Sequence, residues 1–224
     1  MTAGQWPKTP TEARALQEDL RHRVIAEDRL GPVRLLAGVD AGYDVRRGMT
    51  RAVAVLMEAD GLVLRHAVRA ERPTDFPYVP GLLSFREAPA ILAALDRLPE
   101  RPDLLLVDGQ GRAHPRRFGL ACHLGVLADL PTIGVAKSRL IGTHDEPGEA
   151  RGARSPLLDK GEMIGVVLRT RARVRPLFVS VGHRIGLETA VELVLAAAPR
   201  YRLPEPIREA DRLTRRASDE PEHR

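Results

Sequence analysis

Residues 104–125, LLLVDGQGRAHPRRFGLACHLG, decide the fold. Leu104 to Val107 is a short apolar run that stops at Asp108. Such a run, bounded by turn residues, predicts a strand covered on both faces. A carboxylate at the carboxyl end of a central strand lies where open α/β sheets place their sites. Gly109-Gln110-Gly111 follows, and its two glycines let a ligand approach the backbone closely. Then come His114, Pro115, Arg116 and Arg117. From there Phe118, Cys122, Val126 and Leu130 recur every four residues, which predicts a helix over 118–130. One loop thus gathers an acid, two glycines, a histidine and two arginines, a mixture suited to holding a metal beside a phosphate.

The 224 residues fit one large domain. A domain of that size buries roughly 70% of the surface its unfolded chain exposes, so it needs no covalent staples. Cys122 is the single cysteine, which excludes an intrachain disulfide and fits a reducing, cytoplasmic compartment. The first twenty residues have no apolar core of a signal peptide. No apolar run approaches the ~20 residues of a membrane span. The formal charge of +5 suits a polyanionic partner, although an arginine-rich composition without function explains it as well. Lysine occurs at three positions only, Lys8, Lys137 and Lys160. A lysine kept where arginine is the rule points to a tight site, where a compact ammonium meets one phosphate oxygen.

Read in order, 11–30 predicts an amphipathic helix capped by Thr9 or Thr11. Val33 to Val39 predicts a strand ending at Asp40. Ala52 to Met57 and Leu62 to Ala70 predict two more, joined too tightly for anything but an antiparallel meander. Glu71 to Gly81, ERPTDFPYVPG, is a stiff proline loop. Ser84, with Glu87 three residues on, has the pattern of a capping box opening a helix to about Leu98. Thr132 to Ala136 predicts a strand leading into Lys137-Ser138. The charged, glycine-containing stretch 144–156 predicts a flexible loop. Glu162 to Arg169 and Leu177 to Val181 predict a strand pair, and Leu187 to Ala198 a helix. The expected organisation is one catalytic domain over 1–203 and a charged, flexible tail over 204–224. Three antiparallel strands, then helix, strand, helix and strand, is the order of the ribonuclease H-like α/β fold, a mixed sheet flanked by helices.

In that order the strands ending at Asp40 and Asp108 are neighbours, and two carboxylates side by side hold hard divalent cations through oxygen. A lone Asp at a strand end is more often a turn residue; the pair at matching places is the stronger signal. Glu87 is either a capping acid or a third carboxylate, and spacing does not decide. Lys137 is either an exposed lysine or a phosphate contact. His114 and His183 both follow apolar strands, which sets them on the same rim; each alone is also an ordinary loop residue. Tyr78, between Pro77 and Pro80, is either part of an aromatic cluster with Phe76 or a wedge that enters a base stack.

The segments PYVPGLLSFRE, VDGQGRAHPRRFGLACHLGV, GVAKS and VSVGHRIGLETA, with the Val39-Asp40 motif upstream, closely resemble the endonuclease V family from about Gly38 to Leu195. The resemblance implies a DNA repair endonuclease that nicks the second phosphodiester bond 3′ to deoxyinosine and other deaminated bases. It implies 3′-hydroxyl and 5′-phosphate ends, and magnesium as cofactor with manganese as a substitute. Carried over by motif, it makes Asp40, Asp108 and Glu87 the metal ligands and catalytic acids. Lys137, His114 and His183 become further catalytic residues. Tyr78, Pro77 and Pro80 become the strand-separating wedge, and Gly81, Gly109, Gly111, Arg116 and Ser138 the lining of the nucleic-acid site. The partner is then DNA bearing deaminated bases, with single-stranded DNA or RNA as further substrates, and the enzyme a monomer free of membranes. An endoribonuclease acting on inosine-containing RNA is the nearest rival. An actin-like ATP-binding protein, suggested by Asp40-Ala41-Gly42, lacks a second phosphate loop and an adenosine motif. A binding module without catalysis is opposed by the intact acids.

Overall fold

The computed structural model describes residues 6–219. Its strands are β1 (Leu35–Asp44), β2 (Met49–Glu58), β3 (Leu64–Pro73), β4 (Leu104–Val107), β5 (Thr132–Ala136), β6 (Arg154–Asp159), β7 (Glu162–Leu168) and β8 (Leu177–His183). They form one sheet in the order β3-β2-β1-β4-β5-β8-β7-β6. β1, β4 and β5 are parallel. The flanking pairs are antiparallel, including the expected meander β1-β2-β3. The helices are α1 (Pro10–Leu20), α2 (Leu83–Leu95), α3 (Leu120–Ala128), α4 (Leu187–Ala196) and α5 (Glu205–Asp219). This is the mixed α/β, ribonuclease H-like architecture that the order of elements predicts.

Side chains alternate across a strand, so β1 and β4 feed two cores. Ala37, Val39, Leu105 and Val107 pack with Ile91 of α2 and Leu124 of α3. Leu36, Leu104 and Leu106 pack on the other face with Val191 of α4 and Ile207 of α5. The wholly apolar β4, and β5 with Thr132 as its one polar residue, are buried at every position, as central strands covered on both faces must be. No helix among the described residues is long and apolar enough to cross a membrane.

Four expectations change. α1 is capped by the reciprocal Thr9–Glu12 box but stops at Leu20, followed by a 3-10 turn, Arg21–Arg23. Ile25 bonds through its backbone to Arg184, at 2.7 Å from the Arg184 N–H, and to the His183 ring, at 3.2 Å. These long-range bonds win over helical propensity. β1 does not end at Asp40 but runs on to Asp44. The stretch 144–156, expected to be flexible, is tied down instead. The buried Arg169 guanidinium donates to Gly148 O at 2.6 Å, to Pro147 O at 2.8 Å and to the Glu146 carboxylate at 2.7 Å, and Arg154 already belongs to β6. Most of the expected tail is α5, with Ile207 and Ala210 fully buried; residues 220–224 lie outside the described residues.

Candidate active site

The register of β1 on β4 sets Val39 opposite Val107. Asp40 and Asp108, the next residues of two parallel neighbours, therefore come out side by side. Asp40 stands mid-strand, at the height where β4 stops. Gly38, Asp40 and Gly42 share the face of β1 that α5 covers. A Cβ on Gly38 would lie 2.2 Å from the Pro206 carbonyl carbon, and one on Gly42 would lie 3.0 Å from the Thr214 methyl. The two glycines thus let α5 lie directly on the strand. Gly42 is paired to Arg51 within the sheet and forms no phosphate loop. Seated there, α5 delivers Asp211. Single carboxylate oxygens of Asp40, Asp108 and Asp211 all lie within 4.8 Å of one another.

Asp211 is absent from the sequence-derived set. Its signal was present but covered by composition. Ile207, Ala210 and Thr214 follow at helical spacing and are buried, while Arg208, Arg212 and Arg215 pair with acids of the same helix. A helix rich in internal ion pairs reads as a charged tail, and Pro206, which seats the first turn on Gly38, reads as a breaker.

Glu87 comes from the side, as the fifth residue of α2. The capping-box alternative is excluded: Leu82 is the N-cap, Ser84 is inside the helix, and the Ser84 hydroxyl bonds the His123 ring at 3.0 Å. Burial, together with the charges of Asp40 and Asp108, pushes the Glu87 carboxyl up to about 8. Asp40 rises to about 6, first through burial and then through Asp108 and Asp211, although a hydrogen bond from Thr214 and the charge of Lys137 work the other way. Lys137 follows the last residue of β5. Its ammonium lies 2.5 Å from Asp108 Oδ2 and 3.3 Å from Asp211 Oδ1. Burial works against its charge, but those two carboxylates hold its pKa above the usual lysine value.

Asp108 and Lys137 also line a cleft of about 410 Å³ together with Tyr78, Pro80, Gly81, Gly109 and Ser138. Exposed Leu83 and Leu140 give it an apolar wall. Tyr78 is 66% exposed at the rim, whereas Phe76 is buried at 2% and packs on Phe85 at 5.5 Å between ring centres. The proline loop is therefore anchored by one aromatic and presents the other. Its base is fixed at Gly81, whose φ of +77° suits glycine. The Gly81 carbonyl accepts from the Arg116 guanidinium at 2.8 Å, from Gln17 Nε2 at 3.2 Å and from His114 at 3.0 Å.

Five expected site residues are placed differently. His114 lines the cleft, but its second nitrogen accepts from the Arg116 N–H at 3.2 Å. Both ring nitrogens are thus committed to backbone, and burial lowers the ring to about 4. Arg116 turns inward beneath Gly81 rather than outward. Gly111 is buried against β8, where a Cβ would meet Val181 O at 2.0 Å. Pro77 is exposed and outside the cleft. His183 pairs with Thr132, the first residue of β5, while Lys137 follows the last. Five residues of strand separate them, about 16 Å. His183 therefore sits at the opposite end of the sheet, beside Asp129 at 3.7 Å, away from the acids.

Comparison with known proteins adds the following. A family model described as Endonuclease V matches residues 18–212. The endonuclease V of Azotobacter vinelandii is 54% identical over 213 residues, covering 95% of this chain and 96% of that protein. That of Roseiflexus sp. is 57% identical over 208 residues, covering 93% of each. The crystal structure of the Streptomyces avermitilis endonuclease V superposes with a TM-score of 0.92 at 50% identity, over 96% of both chains. A Ciona intestinalis endonuclease V, in complex with a 24mer DNA containing an inosine followed by a ribo-adenosine, matches with a TM-score of 0.82 at 28% identity. It covers 93% of this chain and 97% of that one.

Proposed function

Because this chain belongs to the endonuclease V family and is thus a nuclease, we propose that it nicks DNA at the second phosphodiester bond 3′ to deoxyinosine and other deaminated bases, leaving 3′-hydroxyl and 5′-phosphate ends. The observation that carries this reading is the shared use of Asp108 and Lys137. They belong both to the acid cluster and to the cleft that Tyr78 rims, so a base received in the cleft leaves its strand lying over the acids.

The residues present fit a divalent cation. All donors are hard carboxylate oxygens, the class that magnesium and manganese take. Asp40 and Glu87 hold their protons because burial and like charge disfavour their carboxylates, a repulsion that a cation relieves. Asp40, Asp108 and Asp211 would hold the ion, with Glu87 beside it. When bound, it supplies activation of water and stabilisation of the leaving 3′-oxygen. Glu87, whose carboxyl holds its proton to about 8, is placed to give up that proton beside Asp40 and Asp108. Lys137 offsets charge on the phosphate. Tyr78 fills the gap left by the extruded base, and the cleft, with its apolar wall at Leu83 and Leu140, receives that base. Hypoxanthine carries a carbonyl where adenine has an amino group, so backbone N–H groups along the cleft select it. His114, Arg116 and Gln17 hold the wedge loop at Gly81.

A nicking assay on an inosine-containing duplex in magnesium, with mapping of both ends, tests the reading. Cleavage elsewhere, or equal cleavage of an undamaged duplex, overturns it. A second reading, an endoribonuclease on inosine-containing RNA, draws on the ribo-adenosine in the DNA bound by the Ciona intestinalis relative. Matched DNA and RNA strands assayed in parallel separate the two.

A further inference from the structure

Arg86 directly precedes Glu87, and its guanidinium carbon lies 3.7 Å from the ring centre of Tyr43. Among the described residues the guanidinium forms no ion pair and no side-chain hydrogen bond; besides the ring, its charge acts on the neighbouring Glu87 carboxyl, which it draws downward. Three other arginines near the site are engaged: Arg116 with Gly81, Arg117 with Asp159 and Glu162, and Arg51 with Asp44 and Glu71. Arg86 is nonetheless held in place. Thr50 is the cross-strand partner of Tyr43, and its hydroxyl meets the Arg86 carbonyl at 3.4 Å and Thr74 Oγ1 at 2.7 Å. One cross-strand pair thus fixes the backbone of Arg86 through Thr50 and its side chain through Tyr43. A half-buried, pre-oriented guanidinium with unused N–H donors suits an oxyanion that arrives from outside.

The sheet order says where that oxyanion lies. Asp108 and Lys137 line the cleft from β4 and β5, whereas Tyr43 lies further along β1 than Asp40 and Arg86 reaches Thr50 of β2. Tyr43 stands three residues beyond Asp40 on the same strand, about 10 Å further out. A nucleic-acid strand running from the cleft across the acids therefore meets Arg86 on leaving them. We infer that Arg86, held against Tyr43, clamps a backbone phosphate of the cut strand on the 3′ side of the cleavage point. The assignment of the 3′ side rests on the function proposed above, with the lesion in the cleft and the cut 3′ to it.

The test combines protein and substrate changes. Replacing single phosphates of the inosine-bearing strand by neutral methylphosphonates should reveal one position, 3′ to the cut, where neutralisation raises KM of the wild type about tenfold but leaves Arg86→Gln indifferent. Arg86→Gln should also lower the slope of log affinity against log salt by about 0.9 on an undamaged duplex. That measurement needs neither lesion recognition nor cleavage, so it reads the clamp even if the proposed lesion specificity fails. Tyr43→Ala should reproduce part of the loss, and Tyr43→Phe, which keeps the ring, should keep the wild-type slope. Thermal unfolding of each variant shows that it is folded. The inference is overturned by a folded Arg86→Gln with wild-type salt slope and KM. It is equally overturned by a variant altered only in the pH profile of kcat, which would mean that Arg86 acts through Glu87 alone, or by phosphate coupling only 5′ to the cut.

Discussion

Lys137 touches two of the three clustered carboxylates through one compact ammonium nitrogen, where an arginine would spread its contacts over a wider planar fork. Lys137→Arg is therefore expected to slow single-turnover cleavage by about 100-fold although the charge is kept, because a small displacement at a reacting centre costs that much. A variant within about twofold of wild type, well below that scale, would make Lys137 an ordinary surface residue. Asp211→Ala should abolish cleavage in magnesium while changing the melting temperature little, since the side chain is partly exposed and packs in no core. Retained activity would remove Asp211 from the cluster. For Tyr78, exposed and anchored only through its loop, Tyr78→Ala should weaken binding of the inosine duplex by ~1–3 kcal/mol. Titration by anisotropy checks this, and a lost rate with intact affinity would contradict the wedge.

The behaviour of α5 follows from two glycines far from it in sequence. Gly38→Ala would drive a methyl into the Pro206 backbone, which cannot give way as a side chain can. The first turn of α5 must lift, and Asp211 and Thr214 shift with it. The expected outcome is a folded sheet with a magnesium requirement raised at least about tenfold, the scale on which misplaced groups around a metal act; a magnesium titration of activity checks it, and an unshifted midpoint would show that α5 tolerates the methyl. The same helix marks the limit of what the sequence revealed. β4 and β5 were legible to the residue, because fully buried strands are uninterrupted apolar runs, and they carried Asp108 and Lys137 with them. Asp40 was found at the right place for a partly wrong reason: the apolar run stops there, but the strand does not, since its outer half pairs with β2 beyond the core. α5 was illegible because its buried stripe is short and its remaining surface is internal ion pairs. His183 was misplaced because a position just after an apolar run does not say whether the strand runs up or down in the sheet, and β8 is antiparallel to β5.

To the stability of the whole molecule, Glu87 and Asp40 contribute a pH dependence with a definite sign. Folded Glu87 holds its proton to about 8 and Asp40 to about 6, whereas unfolded carboxyls lose theirs near 4. Between those values the folded state binds more protons than the unfolded one, so stability falls as pH rises through that window, by at most about 1.4 kcal/mol per pH unit for each such proton. In chelator, the melting temperature should fall from about pH 7 to about pH 8, above the range in which buried His114 and His123, lowered to about 4 and about 3, add stability as pH rises. Magnesium, taken up as those protons leave, should reverse the trend, and Glu87→Gln should flatten it. A melting temperature that climbs between about pH 7 and about pH 8 in chelator would contradict the assignment. The seating of Asp211 on the last helix also bears on the order of biosynthesis. A ribosome that has released residues 40–108 has already exposed Asp40, Glu87 and Asp108, yet the nascent chain still lacks Asp211 until α5 leaves the exit tunnel. On the proposed function, a nuclease made beside messenger RNA thus lacks Asp211 in its acid cluster until α5 has emerged, and a stalled nascent chain with α5 still in the tunnel should bind manganese more weakly than the released protein.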